Sequence, residues 1–278
     1  MIKSLLLSVD GSVYTNSVLK HGIQLAKACD SVIKVISIVD IRIFEWAVGM
    51  GTEAFVPVIP STIYQKESKK MLENKADAVL KKCASILKKE KIKFETEKPY
   101  GAPVDIICEN SHLVDLLIMG ARGEYAKWES KLVGATLEAV VRQGNKPILI
   151  APKKYNPINH VLFAYDGSDK ANKALQLVGF LATKLNVPIT ILSVNENDQL
   201  RNKFLQEATT YLQPYKISVE LAGKSGSPEK EIVSVAEENN CDLIVMGAFG
   251  HSRIRGAILG STTEYVMRNS KIPVLLTK

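Results

Sequence analysis

The sequence predicts an α/β protein made of two tandem units, each a five-stranded parallel, doubly wound sheet with flanking helices. Three observations carry this. An apolar run ending in Asp-Gly-Ser occurs twice, at Asp10-Gly11-Ser12 and at Asp166-Gly167-Ser168. A second apolar run also recurs, as Asp115-Leu-Leu-Ile-Met119-Gly120 and Asp242-Leu-Ile-Val-Met246-Gly247, each followed by further glycines. Between these markers, short apolar runs alternate with stretches of helical period, the pattern of parallel strands joined by right-handed crossovers. A repeat on this scale sets the whole architecture, so the chain is read as two copies of one unit.

The copies run in step without a gap from Asp10/Asp166 to Asp40/Glu196, with Asn16/Asn172, Leu19/Leu175, Ala26/Ala182 and Ser37/Ser193 identical. Each has a Gly-x-Pro turn, Gly101-Ala-Pro103 and Gly226-Ser-Pro228. The first copy is the longer, mostly between Asp40 and Gly101. The join falls near Pro152–Pro157, where prolines stop regular pairing and lysines stay hydrated. Domains over 1–152 and 158–278 are expected.

In the first copy, Ser4–Val9 is a near-continuous apolar run, as in parallel strands buried on both faces. Ser12 or a nearby hydroxyl can cap the next helix, which carries Val18, Leu19, Ile23, Leu25 and Ala26 at helical spacing. A strand over Val32–Val39 follows. The stretch from Asp40 to about Thr62 has Gly49, Gly51, Pro57 and Pro60 and no clear period. Part of it is expected as a flap, with Phe44, Trp46 and Phe55 packing locally. Then come a helix over Tyr64–Glu90, a strand over Lys93–Glu97 and a helix from Pro103, where proline suits a first turn. A strand over Leu116–Met119, a helix over Gly134–Arg142 and a strand over Pro147–Ile150 complete the unit. The second copy repeats the order: strand His160–Tyr165, a helix to Leu185, strand Ile189–Val194, a shorter helix Leu200–Gln213, strand Ile217–Leu221, helix Pro228–Asn239, strand Leu243–Met246, helix Ser261–Arg268 and strand Pro273–Leu276.

A chain of 278 residues holds two domains of ordinary size. Its hydrophobic share of 46% is enough for a core in each. The formal net charge of +7 is modest, and the lysines cluster on amphipathic stretches such as Lys66–Lys91. No recognition motif accompanies them, so no nucleic-acid partner is expected. The four cysteines, Cys29, Cys83, Cys108 and Cys241, form no CxxC pair and read as small buried residues of a reducing compartment. With a strand expected from Ser4, no signal peptide is expected. No apolar run is long enough to span a membrane, so a cytoplasmic location without membrane insertion is expected.

The chemistry gathers at the glycines. The second copy reads Gly247-x2-Gly250-x9-Gly260-Ser261. Glycine lets backbone approach a ligand closely. Gly260-Ser261 opens a helix, whose free N–H groups and positive dipole end make an anion site. The Ser261 and Thr263 hydroxyls can bond phosphate oxygens. His251, Arg253 and Arg255 add charge, actual or potential, to the loop. Ligands of doubly wound sheets bind beyond the carboxyl ends of the strands. Asp166 and Gly247 both close strands, so both reach that rim.

These residues closely resemble the universal stress protein family in its tandem two-domain form, over essentially the whole chain. The family signature G-x2-G-x9-G-(S/T) is matched fully in the second copy. The resemblance implies Rossmann-like (HUP-type) domains that bind ATP, or ADP or AMP, with magnesium arriving on the nucleotide. Carried over, Asp166, Gly167 and Val194 would lie near adenine and ribose, and Met246 and Gly247 along the ribose. Phe249, where a polar residue often stands, would lie at the ribose or phosphate, and Gly250, Gly260, Ser261, Thr262 and Thr263 would hold the phosphates. It also implies that Lys146–Ile150 and Pro273–Leu276 pair as an intrachain pseudo-dimer, and leaves open a homodimer of chains.

The first copy departs from the signature. Ten residues, 124–133, separate Gly123 from Gly134, and Ala135 replaces the Ser/Thr. Glu124 and Glu129 offset Lys127 and Lys131, although Arg122 and Thr136 can compensate. A weaker site, or one for a different ligand under the flap, is expected at Asp10, Ile38, Gly120, Gly123, Gly134, Ala135 and Thr136.

Other chemistries find less support. Asp10, Asp166 and Asp169 lack histidines or further acids in a ligand pattern, so no protein metal site is expected. His251 has no partner nucleophile. Gly223-Lys224-Ser225 resembles the end of a P-loop, but Ser218 stands where its first glycine should be. An oxidoreductase would need G-x-G-x-x-G where Asp-Gly-Ser stands. No catalytic residue is assigned, and slow ATP hydrolysis is the most turnover expected. A scaffold that binds no nucleotide is the remaining alternative.

Overall fold

The computed structural model describes residues 2–40, 42, 62–124, 133–248 and 260–278. The expected flap, with Phe44, Trp46 and Phe55, lies outside the described residues. The first half runs β1 (Ser4–Ser8), α1 (Thr15–Cys29), β2 (Val32–Ile36), β3 (Val39–Asp40), α2 (Thr62–Lys89), β4 (Phe94–Glu97), β5 (Tyr100–Gly101), α3 (Pro103–Ser111), β6 (Leu116–Gly120), α4 (Ala135–Gln143) and β7 (Ile148–Ala151). The second half runs β8 (Val161–Ala164), α5 (Asp169–Leu185), β9 (Ile189–Val194), α6 (Asp198–Leu212), β10 (Val219–Lys224), α7 (Pro228–Glu238), β11 (Leu243–Gly247), α8 (Ser261–Asn269) and β12 (Val274–Thr277).

Among the described residues, ten strands form one sheet in the order β10-β9-β8-β11-β12-β7-β6-β1-β2-β4. Each half contributes five strands, parallel within the half. The halves meet where β7 and β12 pair antiparallel, with Leu149 opposite Leu275. This pairing covers two edges that would otherwise expose unpaired backbone. The continuous apolar runs are explained by burial on both faces: Leu5, Leu6 and Leu7 are all fully buried. Alternate strand residues feed two apolar layers, one on each face of the sheet, and both layers run through both halves. On one face α1 lies against α5 across the seam. Gln24 of α1 also grips the linker: its Nε2 donates to Ile158 O at 2.9 Å, and Ile158 N–H donates to its Oε1 at 3.0 Å.

Several elements differ from the sequence reading, among them the strand expected over Ile217–Leu221, which runs over Val219–Lys224. The strand expected over Val32–Val39 breaks after Ile36, and its end, β3, pairs with β5 as a separate two-stranded sheet. Val39 N–H donates to Pro99 O, but proline has no N–H to continue the ladder. Helix α6 starts at Asp198 rather than near Leu200, because the Asn197 side chain accepts from the N–H groups of Gln199 and Leu200.

Candidate functional site

The strand-end turns of the two halves have the same geometry. An oxygen of Asp10 accepts from Ser12 N–H and one of Asp166 from Ser168 N–H, each at 3.0 Å. The glycines between, Gly11 at φ +79° and Gly167 at φ +74°, take a conformation that side chains resist. This turn brings the following helix back over the sheet. A Cβ on Gly120 would stand 2.6 Å from Tyr14 Cβ, and one on Gly247 2.8 Å from Lys170 Cβ. The glycine at the end of β6 or β11 is therefore what lets α1 or α5 descend onto the strand.

The first-half glycine loop folds back onto β1. A Cβ on Gly123 would meet Asp10 Oδ2 at 2.9 Å. Gly134 donates its N–H to Ala121 O at 3.1 Å and opens α4, which has no side-chain cap. Asp10, Ile38, Gly120, Gly123, Gly134, Ala135 and Thr136 thus all line one cavity of about 560 Å³. That volume is ordinary for a small-molecule site.

The far wall was not found from the sequence. Leu72, Lys75 and Ala76 of α2 line it, with Asp40 and Arg42 near β3. Arg42 holds Asp40 with both ends of its fork, at 2.9 Å from Nε and 2.6 Å from Nη2. Burial pushes the Asp40 carboxyl up, but the bonds from Arg42 and its charge outweigh that and leave it below its ordinary value. Lys75 Nζ pairs with the Glu124 carboxylate. The cavity therefore carries Arg42, Lys75 and Arg122 against Asp10, Asp40 and Glu124. The signal available was the register of α2, whose buried Ala76, Leu80, Cys83 and Leu87 place Leu72 and Lys75 on or beside the inward face.

In the second half, Asp166 follows β8, Val194 ends β9, and Met246 and Gly247 end β11. Gly260 precedes α8, whose first turn carries an exposed Ser261 and a half-buried Thr262. Phe249, Gly250, His251, Arg253 and Arg255 lie outside the described residues. Thr263 departs from the phosphate-holding position that its sequence implies. It is 1% exposed, and its hydroxyl donates to Ala248 O at 2.6 Å, tying α8 to the start of the glycine loop. Its first-half counterpart is the buried Leu137.

Over the turn itself the halves diverge. Phe204 of α6 covers Gly167, where a Cβ would lie 2.4 Å from its ring, and stands edge-on to Tyr165 with centroids 6.3 Å apart. Val79 and Val9 hold the corresponding places in the first half. No group of three or more His, Cys, Asp or Glu side chains could hold a metal among the described residues, and no described helix is long and apolar enough to cross a membrane.

Comparison with known proteins agrees with this arrangement. The model of the universal stress protein family matches residues 1–152 and 195–278. The unmatched stretch holds β8, α5 and all of β9, with Asp166. A universal stress protein of Synechocystis, Slr1230, is 33% identical, with 99% of each chain covered. A crystal structure of a universal stress protein from Archaeoglobus fulgidus superposes with a TM-score of 0.78 at 28% identity, covering 99% of this chain and 98% of that one. A functionally unknown protein from Pseudomonas aeruginosa shares the fold at 16% identity, with a TM-score of 0.71 over 100% of this chain and 92% of its own. With the family's model matched in both halves and a relative at 33% identity along nearly the whole length, the chain belongs to the universal stress protein family.

Proposed function

We propose that this protein is an adenine-nucleotide-binding regulatory protein of the stress response, organised as domains over 1–152 and 158–278. The carrying observation is the convergence at one rim of the strand-end Asp-Gly-Ser turn and the glycine loop that opens a helix, on a cavity of about 560 Å³ in the first half. A helix N-terminus and close-approaching glycines suit phosphate, and an aspartate beside them suits ribose hydroxyls.

The second domain is the tighter site for ATP, ADP or AMP. Its support is the complete signature, the exposed Ser261 at the start of α8, and a loop with Arg253 and Arg255 and no acid. Asp166, Gly167 and Val194 take the nucleoside, Met246, Gly247 and Phe249 flank it, and Gly250, Gly260, Ser261 and Thr262 take the phosphates. Thr263 positions the loop. Magnesium travels with the phosphates, an ion that keeps waters and few protein ligands. The β7–β12 seam makes the chain a pseudo-dimer, and the site is cytoplasmic. Binding rather than turnover is the function.

A second reading, favoured by the first-half cavity, gives that domain a ligand of its own. One experiment addresses both. The protein is purified without added ligand and denatured, and released small molecules are identified by chromatography and mass. About one adenine nucleotide per chain is expected, lost on Gly260→Asp and kept on Gly134→Asp. Two per chain would mean that the first-half departures do not matter. None, with no binding of added ATP, would leave the scaffold.

A further inference from the structure

We propose that Lys75 is the phosphate-contacting cation of the first-half cavity, and that Glu124 of the glycine loop competes with the ligand for it. The inference rests on the nucleotide reading above and extends it to a residue outside the family signature. Lys75 belongs to α2, a helix of 28 residues where the second half has the 15-residue α6. Its Cε lies 3.6 Å from where a Cβ on Gly11 would stand, so the side chain crosses the Asp10–Gly11 turn toward the glycine loop. There its ammonium meets the Glu124 carboxylate, next to Gly123, which itself packs on Asp10. Lys75, Glu124 and the opening of α4 at Gly134–Thr136 thus line the same cavity.

The physical consequence is an exchange of anions. The Lys75 side chain is 37% exposed and the Glu124 side chain 49%. Ion pairs this open are weak, because water and salt screen them. A phosphate brings more than one negative charge and several acceptor oxygens, so it displaces a single carboxylate from an ammonium. The first half has Ala135 where the signature has a hydroxyl, and Glu124 and Glu129 in a loop whose second-half counterpart has no acid. Lys75 offsets the first difference from another element, and Glu124 sets the threshold a ligand must exceed.

The test is made in the full chain with the second site disabled by Gly260→Asp, titrated with ATP and with AMP by calorimetry. Lys75→Gln is expected to weaken binding about 3- to 10-fold and to flatten its dependence on salt. Glu124→Gln is expected to tighten binding by a similar factor, and to do nothing once Lys75 is Gln. Thermal unfolding of the variants checks that the fold is intact. Binding unaffected by either substitution would overturn the role of the pair while leaving the nucleotide reading standing. If the Gly260→Asp chain binds neither nucleotide while the native chain does, the first-half cavity is not a nucleotide site and the proposal fails. If the native chain also binds none, the reading beneath it fails too.

Discussion

The two halves place the same turn at the same rim and then build differently above it. In the first, aliphatic Val9 and Val79 and the long α2 leave a cavity walled by three cations and three acids. In the second, Tyr165 and Phe204 stack edge-on over Gly167, while the glycine signature is complete. The glycine signature and the side chains that cover the turn are therefore separate properties, set by different segments of the chain. The signature supplies backbone N–H groups and flexibility at one point. The cavity depends on which helix covers the turn and on the side chains it points inward. A motif alone cannot report the second property, because the covering helix lies far away in sequence.

The comparison presumes that the halves are parts of one folded body, and the seam tests that most severely. Leu149 and Leu275 face each other across β7 and β12, both almost fully buried. Leu149→Ala or Leu275→Ala should each cost about 2–5 kcal/mol in urea unfolding, the range for a large core truncation. Because the layers on both faces run through both halves, the native chain should unfold in one transition. Two transitions, with only one shifted by the substitution, would show that each half folds for itself.

Next in size are the effects on ligand. Gly260→Asp puts a carboxylate at the opening of α8, where a phosphate would sit, and should weaken ATP binding at least about tenfold by loss of charge-assisted bonds. The same change at Gly134 should leave the tighter site alone. The reverse ranking would invert the assignment of the halves. A smaller gain is expected from Ala135→Ser, which restores the hydroxyl the first half lacks. One added hydrogen bond should tighten ATP at that site about 2- to 10-fold in a Gly260→Asp background. No gain there would mean that the phosphate does not reach α4.

The repeat made much of this legible in advance. Asp-Gly-Ser after an apolar run fixed a strand end and a turn in each half, and those turns agree in hydrogen bonding and in glycine conformation. The seven first-half candidates line one cavity. What escaped was side-chain direction and long-range cover. Thr263 follows two other hydroxyl residues, Ser261 and Thr262, and nothing in that run says that the third turns inward to the Ala248 carbonyl. Lys75 sits in a lysine-rich helix that reads as a solvated face, and only the packed register shows one lysine crossing the Asp10 turn. The break at Pro99 was readable, since a residue without an N–H cannot extend a ladder.

The smallest expected effect separates the halves by acid sensitivity. His21 of α1 is fully buried, where the repeat places Leu177 in the second half. Its Nδ1 lies 2.8 Å from Ser17 O, and its ring stands edge-on to Tyr155 of the linker with centroids 4.8 Å apart. Lys20 Nζ sits 5.3 Å from the same Tyr155 ring. Nε2 makes no hydrogen bond of good geometry among the described residues, although the Asn156 backbone is near enough to favour the charged form. Burial dominates, outweighing the Ser17 and Asn156 backbone, and lowers the pKa below the ordinary 6.5. The folded chain thus binds this proton less well than the unfolded chain does. The stability tied to neutral His21 is complete above pH 6.5 and is lost as pH falls from there through the lowered folded value. Unfolding free energies measured from pH 7.5 downward should therefore decline less steeply in His21→Leu, the residue type the second half uses, than in the native chain. Equal slopes would show that His21 keeps its proton equilibrium on folding, and that the linker beside α1 is no more acid-sensitive than its surroundings.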